Sequence, residues 1–322
     1  MSNLNSIGAV IIGKNVSDSI ENTINSLLSI CSQIIFVDTG SEDGTAEIVT
    51  RLGAEIYFFK WNNNFSDARN FGLKFLRCNW ALIIDSDEIL DLKTFIKYKN
   101  LDISDEVGGL NIKIKNYLNR EDQTIFQIHH YTRIFRNHPQ IQFAGAIHEQ
   151  IRPAIEKMNL SIIDTEIIIE HYGYQESNPE KKQRNLSLLK EEILHNDNDI
   201  FLKYHLATTE FSLGDLENAF LHFKEINDSP LLSTEQQEIS HLRLAQIELS
   251  KDNVQNVYFW LKDEFENMDN EGLRLFILAA AKMLENKFAE AKMLYLNEKV
   301  QKSSLVDKNI INQALEILKT II

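Results

Sequence analysis

The sequence predicts an α/β fold, a parallel sheet covered by helices, followed by a second, all-α region. Three observations carry that reading. Over roughly the first ninety residues short apolar, β-rich runs alternate with helical stretches, and each run ends in a polar segment. From Asn178-Pro179-Glu180 onward, with Pro at a first helical turn, the chain reads as almost entirely helical. Alternation of this kind builds a parallel sheet with helices packed on it, whose ligand site lies at the carboxyl ends of the strands.

The elements follow in order. Apolar runs at Ile7 to Ile12, Ile34 to Val37, Ala54 to Phe59 and Trp80 to Ile84 are the strands. Ser17 to Ile30, Thr45 to Leu52 and Ser66 to Leu76 are the intervening helices. The segments at the expected ligand edge are Gly13-Lys14-Asn15, Asp38 to Thr45, Lys60 to Asn64 and Asp85-Ser86-Asp87-Glu88. From Val107 to about Glu170 the pattern is strand-like but less regular, with Gly109 to Ile114, Thr124 to Phe135, Ile141 to Ala146 and Leu160 to Ile169 as extended pieces completing the same domain. The domains are therefore placed at 1–175 and 176–322.

The helical region contains a repeat. Gly214, Ala219 and Phe223 are spaced by five and four, and Asn286, Ala291 and Tyr295 repeat those offsets 72 residues later, with Asp252, Val257 and Leu261 a looser copy between. Two copies of about 36 residues fit that distance and lie close to the tetratricopeptide period, in which small residues let paired helices approach and aromatics fill the groove. The usual Trp, Tyr and Pro positions are missing from most copies, so generic α-hairpins stay open.

Composition excludes several functions. With 43% hydrophobic residues, 25% charged, 12 Gly and 4 Pro, the 322-residue chain is folded rather than linker-like. Thirty-three Lys and Arg against 47 Asp and Glu give a net charge of −14, which repels a nucleic-acid backbone. A phosphate-bearing ligand must then be held by local cations, backbone N–H groups or a divalent metal. Cys31 and Cys78 lack metal or redox spacing and read as reduced thiols, which points to the cytosol. Met1 to Ser6 has no basic or apolar leader pattern, and no run approaches the ~20 apolar residues of a membrane span, so no anchor is expected.

Within the edge segments, Asp85 and Asp87 flank Ser86. On an extended chain such carboxylates point the same way and suit a hard divalent cation with its diphosphate; the bland alternative is a solvated loop capping the next helix. Asp38 ends the second strand and could meet a nucleoside or form an Asx-turn. No phosphate P-loop or GxGxxG is present. Ser66 reads as the N-cap of the third helix, which places Arg69 in its first or second turn, against the helix dipole and therefore suited to face an anion. His148-Glu149 precedes Pro153, without the second His of a zinc protease motif. His129 and His130 adjoin in a strand and face opposite sides, read as structural or acceptor-lining, and His171 reads as a core histidine.

Taken together, Lys14-Asn15, then VDTGSEDGT, WNNNFSDARN and LIIDSDE closely resemble the nucleotide-binding half of family 2 glycosyltransferases of the GT-A fold. Thr132 to Asn137, Phe143 to Glu149 and His171-Tyr172-Gly173-Tyr174 resemble the branch in which tetratricopeptide-like helices follow the transferase domain. That branch includes peptide glycosyltransferases of glycosylated bacteriocins and is similar to lipopolysaccharide core glucosyltransferases. The resemblance covers roughly residues 6 to 225. It implies a Rossmann-like mixed sheet with helices on both faces, and inverting transfer of a hexose, glucose or N-acetylglucosamine, from a UDP-sugar aided by Mg²⁺ or Mn²⁺.

By position the resemblance gives Asp38 the uracil or ribose, Arg69 the base or diphosphate, Asp85 the nucleotide and Asp87, with Asp85, the metal. Many relatives carry Glu directly after Lys-Asn; Val16 stands there in this chain, so that nucleotide contact is either absent or taken over by Asn15. Inverting transfer needs a base for the acceptor hydroxyl or thiol, and Glu149 is the candidate, with His148 facing the metal or the diphosphate. The acceptor is a polypeptide side chain or a bacterial glycan; the helices present it or pair two subunits. The competing function is a tetratricopeptide scaffold whose α/β domain binds a nucleotide sugar without turnover. The Asp85/Asp87 pair argues against it, because two like charges at a ligand edge cost stability unless a cation is present.

Overall fold

In a computed structural model, residues 3–117, 126–172 and 179–321 are described, and their packing divides the chain into two units, Met1–Ser177 and Asn178–Ile322. Thr124, Gly173, Tyr174 and Asn178, singled out in the sequence, lie outside the described residues.

The first unit is built on one eight-stranded mixed sheet. Its strands are β1 (Ile7–Gly13), β2 (Gln33–Asp38), β3 (Glu55–Phe58), β4 (Trp80–Ile83), β5 (Glu88–Leu90), β6 (Val107–Tyr117), β7 (Phe126–Arg136) and β8 (Ser161–His171), in the order β3-β2-β1-β4-β7-β6-β8-β5. The four predicted strands pair in parallel, Gly13 opposite Asp38 and Asp38 opposite Phe58, so their carboxyl ends share one edge. β7 then runs antiparallel to both β4 and β6, which makes the sheet mixed.

Helices α1 (Ile20–Leu27), α2 (Thr45–Arg51), α3 (Phe65–Leu73), α4 (Leu92–Lys99) and α5 (Arg152–Lys157) cover both faces. The period of two along the strands explains this. Ile7, Ala9 and Ile11 of β1 pack with Ile20 and Ile24 of α1, Val49 of α2 and Phe95 of α4. Val10, between them, packs on the other side with Ile35, Val37 and Ala81 against Leu76, Phe71 and Ile155. Gly72 sets the approach of α3: a Cβ there would lie 2.5 Å from Val10 Cγ1 and 2.8 Å from Val37 Cγ2, so only glycine lets the helix seat this closely on the sheet.

Three expectations are corrected. Ile141 to Ala146 forms no strand, only an isolated bridge between Ala144 and Gln150, because its backbone groups bond to α3 rather than to the sheet. The N-cap of α3 is Asn64, whose side chain accepts from Asp67 N at 2.9 Å; Ser66 instead donates its hydroxyl to Gly145 O at 2.5 Å. Residues 85–88 are not extended but turn, with Glu88 N donating to Asp85 O at 3.1 Å.

The second unit comprises α6 (Pro179–His195), α7 (Ile200–Leu213), α8 (Leu216–Ile226), α9 (Thr234–Leu249), α10 (Val254–Trp260), α11 (Met268–Leu284), α12 (Phe288–Tyr295), α13 (Glu298–Lys302) and α14 (Lys308–Ile321) among its described residues. The sequence repeat marks the turns inside the helix pairs α7–α8, α9–α10 and α11–α12. Gly214, Asp252 and Asn286 all take positive φ, at +83°, +55° and +59°. The next residue's N–H bonds back in each case, Asp215 to Glu210 O, Asn253 to Glu248 O and Lys287 to Lys282 O, closing the helix end. Ala219 and Phe223, Val257 and Leu261, and Ala291 and Tyr295 are all buried at the matching core positions. Among the described residues no helix is long and apolar enough to cross a membrane.

Candidate active site

At the carboxyl edge, Gly13 and Asp38 end β1 and β2 in register and their loops are sewn together. Asn15, at φ +54°, donates its backbone N–H to Ser41 Oγ at 3.0 Å and accepts from Glu42 N through Oδ1 at 2.8 Å. Val16 N donates to Thr45 Oγ1 at 2.9 Å and Ser17 N to Asp43 Oδ2 at 3.1 Å. The Thr45 hydroxyl on Asp43 outweighs desolvation and, with Ser17, holds that carboxyl well below the usual range. Asp38 is buried, and its Oδ1 accepts from Gly40 N at 2.8 Å and Ser41 N at 2.7 Å, the Asx-turn reading of this residue. Gly40 sits at φ +112°, where other residues are strained.

The α3 N-terminus is laced to the segment that carries Glu149. Phe65 N donates to Ala146 O at 2.8 Å, Asn70 exchanges bonds with the Phe143 backbone at 2.9 and 3.0 Å, and the Ala144–Gln150 bridge closes the loop. This brings together two residues eighty positions apart. Arg69 is buried at 5% exposure; its Nε donates to Glu149 Oε1 at 2.5 Å and its Nη2 to Asp85 Oδ1 at 2.8 Å. Nη1 is buried with no hydrogen-bond partner. Neighbouring His148 is not extended but sits at φ +52°.

Asp85 spends both oxygens on arginines, since Arg133 of β7 donates to Oδ2 at 3.0 Å. Burial opposes the charge on Asp85, but Arg133 and Arg69 outweigh it and hold the carboxyl well below the usual range. Arg133 also reaches Glu88 Oε1 at 3.3 Å, while Glu88 Oε2 accepts from Asp85 N at 2.8 Å. Glu88 is itself fully buried, and that burial pushes its carboxyl up. The turn at residues 85–88 sends Asp87 elsewhere. Its Oδ2 lies 3.5 Å from His171 Nε2 at the end of β8.

His171 Nδ1 lies 2.8 Å from Asn116 Oδ1, an acceptor, which puts the ring proton on Nδ1 and turns Nε2 toward Asp87. Desolvation lowers the pKa of His171, but the hydrogen bond and charge of Asp87 raise it by more. Arg69, Asp85 and Glu149 thus meet in one network, Asp87 joins it through the 85–88 turn, and Asn15 and Asp38 belong to the adjoining loops. Sequence reasoning missed Arg133 and Glu88 as members and read His171 as core. The signal for His171 was its place at the end of an apolar run, the position at which the other site residues also stand.

Among the described residues no three His, Cys, Asp or Glu side chains converge as a ready metal cluster. The family model "Glycosyl transferase family 2" matches residues 9–102. The chain is 27% identical over 198 residues to a TPR repeat-containing protein of Synechococcus elongatus, covering 58% of this chain and 48% of the relative. It is 26% identical over 230 residues to the SPbeta prophage-derived glycosyltransferase SunS of Bacillus subtilis, covering 68% of this chain and 54% of the relative. The chain therefore spans about half the length of these curated relatives. Among solved structures, S. aureus TarS 1–349 in complex with UDP superposes with a TM-score of 0.43 at 18% identity, over 89% of this chain and 90% of that one.

Proposed function

We propose that this chain, whose residues 9–102 match the family 2 glycosyltransferase model, moves a hexose with inversion from a UDP-sugar to a polypeptide hydroxyl or thiol or to a bacterial glycan, assisted by Mg²⁺ or Mn²⁺. Glucose and N-acetylglucosamine are the donor sugars proposed. The observation that carries the reading is the Arg69 guanidinium at the ligand edge, held on two nitrogens by carboxylates while Nη1 stays buried and unpartnered. A buried donor left unmade costs about 1–3 kcal/mol, and a diphosphate oxygen satisfies it with a charge-assisted bond.

The residues present fit a divalent cation. Asp87 and His171 offer one oxygen and one imidazole nitrogen 3.5 Å apart, and Asn116 fixes the ring from behind. Ions of this kind are held by few protein ligands plus substrate phosphates and water. The cation supplies neutralisation of the charge that develops on the leaving diphosphate. Asp85, with both oxygens on arginines, is assigned to orient Arg69 and Arg133, so the metal pair proposed is Asp87 with His171 in place of Asp87 with Asp85.

Glu149 is assigned as the base. Arg69 Nε fixes Oε1, and among the described residues no group donates to Oε2, which takes the acceptor proton. As that proton leaves, the acceptor oxygen or sulfur forms a bond to the sugar C1, and the C1–O bond to the diphosphate breaks on the opposite face. Asn15, on the sewn loops, is assigned to the nucleoside and His148 to the diphosphate, while buried Asp38 shapes the loop through its Asx-turn. Glu149→Gln should lower transfer by about 10²–10⁴ while donor affinity holds within a few fold. Unchanged turnover in that variant removes Glu149 from the mechanism.

A further inference from the structure

Asp87 stands in the turn at residues 85–88 with its side chain 37% exposed, so its aim at His171 depends on how that turn is held. Two buried side chains hold it. Glu88, 2% exposed, closes the turn on itself: its backbone N–H donates to Asp85 O at 3.1 Å and its Oε2 accepts from Asp85 N at 2.8 Å. Its Oε1 accepts from Arg133 Nη2 at 3.3 Å, the nitrogen that also bonds Asp85 Oδ2 at 3.0 Å. From α1, fully buried Thr23 donates its hydroxyl to Ser86 O at 2.9 Å.

A solvated loop that merely capped the next helix needs neither residue, and the cap of α4 is Asp91, which accepts from Lys93 N and Thr94 N. Thr23 lies among Ile20, Ile24 and Leu27 on the buried face of α1, where an apolar side chain packs at lower cost. A buried carboxylate at position 88 is likewise weak evidence for stability and better evidence for a fixed geometry. Glu88 also stands directly opposite His171 in the antiparallel β5–β8 ladder, while Asn116 fixes the His171 ring. One residue therefore belongs both to the turn that carries the carboxylate and to the register that places the imidazole.

We propose that Glu88 and Thr23 are positioning residues for the divalent cation: buried beneath the turn, they hold it so that Asp87 and His171 stand 3.5 Å apart before the ion arrives, an assignment that rests on those two residues being its ligands. A cation held by few protein groups gains affinity when they are already in place, because ordering a loose turn on binding offsets part of the binding free energy.

Mn²⁺ titrated into the full chain saturated with UDP, followed by the EPR signal of free Mn²⁺, tests it in wild type, Glu88→Gln, Thr23→Val and Thr23→Ser, beside UDP titrations in EDTA. Gln offers one acceptor oxygen where Glu offers two, so it cannot serve Asp85 N and Arg133 together. Mn²⁺ affinity should fall about tenfold or more in Glu88→Gln, the range for outer partners of metal ligands, and several-fold in Thr23→Val. Thr23→Ser keeps the hydroxyl and should stay near wild type, and UDP affinity in EDTA should hold within about threefold throughout. Where Glu88→Gln does not fold, the Thr23 pair decides alone. Mn²⁺ bound by the folded variants as tightly as by wild type overturns the positioning roles and leaves the cation reading intact. A loss in Thr23→Ser equal to that in Thr23→Val also overturns them, since the site then responds only to core packing. Wild type that binds UDP but takes up no Mn²⁺ removes the cation reading itself, and the positioning roles with it.

Discussion

Replacing Arg69 with Met keeps the aliphatic stem and removes the guanidinium that joins α3 to Asp85 and Glu149. Its side chain is 7% exposed and that of Glu149 14%, so the Glu149 charge loses its hydrogen-bonded cation where water hardly reaches. Breaking such a pair costs about 3–5 kcal/mol, and the lower end is expected because Asp85 is 37% exposed and keeps Arg133. For a unit of this size about 3 kcal/mol corresponds to a fall of roughly 6–12 °C in Tm. Hydrogen exchange of β1 and β4, whose protection reports the first unit alone, gives the free energy directly.

The pH dependence has a defined sign. Arg69 and Arg133 depress the Asp85 pKa, so their contribution is present above its unfolded value of about 3.9 and is lost as pH falls through the lower folded value. The gap between wild type and Arg69→Met should therefore narrow below about pH 5. Combined with Glu149→Gln, the loss should be smaller than with Arg69→Met alone, since no unpaired charge remains at position 149. A variant as stable as wild type, or a double variant whose losses simply add, refutes the reasoning.

Gly72→Ala should cost about 1–3 kcal/mol by forcing α3 away from Val10 and Val37, and Val10→Ala in the same chain should recover part of it; a neutral Gly72→Ala would mean that α3 is not seated this closely. In the helical unit, the Glu210 hydrogen bond raises the His222 pKa against desolvation, with Glu225 adding and Lys203 opposing. Lys190 and Asp215 are the other charged groups nearby. That contribution is whole below the unfolded value of about 6.5 and is lost as pH rises through the raised folded value. Exchange protection of α7 and α8 should fall in wild type as pH rises above the unfolded value of about 6.5, and stay flat in His222→Gln.

The first four strands were legible because apolar runs bounded by polar loops are a local signal, and the site edge followed from where those runs end. The repeat of the helical unit was legible as spacing, but that Gly214, Asp252 and Asn286 mark positive-φ turns came only from the structure. What escaped was set by long-range pairing. β5 is three residues long and exists only because Glu88 to Leu90 meet Ile169 to His171 across the chain, so no periodicity announces it. The same pairing carries His171 to Asp87 and turns the chain at residues 85–88, separating two aspartates that an extended reading keeps together. Arg133 could not be connected to Asp85 before β7 was known to lie antiparallel beside β4. Ser66 lost the cap to Asn64 because its hydroxyl serves the Glu149 loop.

The most direct test of the account is calorimetric titration of the full chain with a panel of UDP-, GDP- and dTDP-sugars, in Mn²⁺ and again in EDTA, for wild type, Asp87→Asn and Arg69→Met. The account predicts binding of a UDP-sugar that weakens in EDTA and in Asp87→Asn and is lost when Arg69 is replaced. Absence of binding by every nucleotide sugar, or binding indifferent to metal and to both substitutions, would contradict it and leave the α/β unit as the non-catalytic part of a helical scaffold.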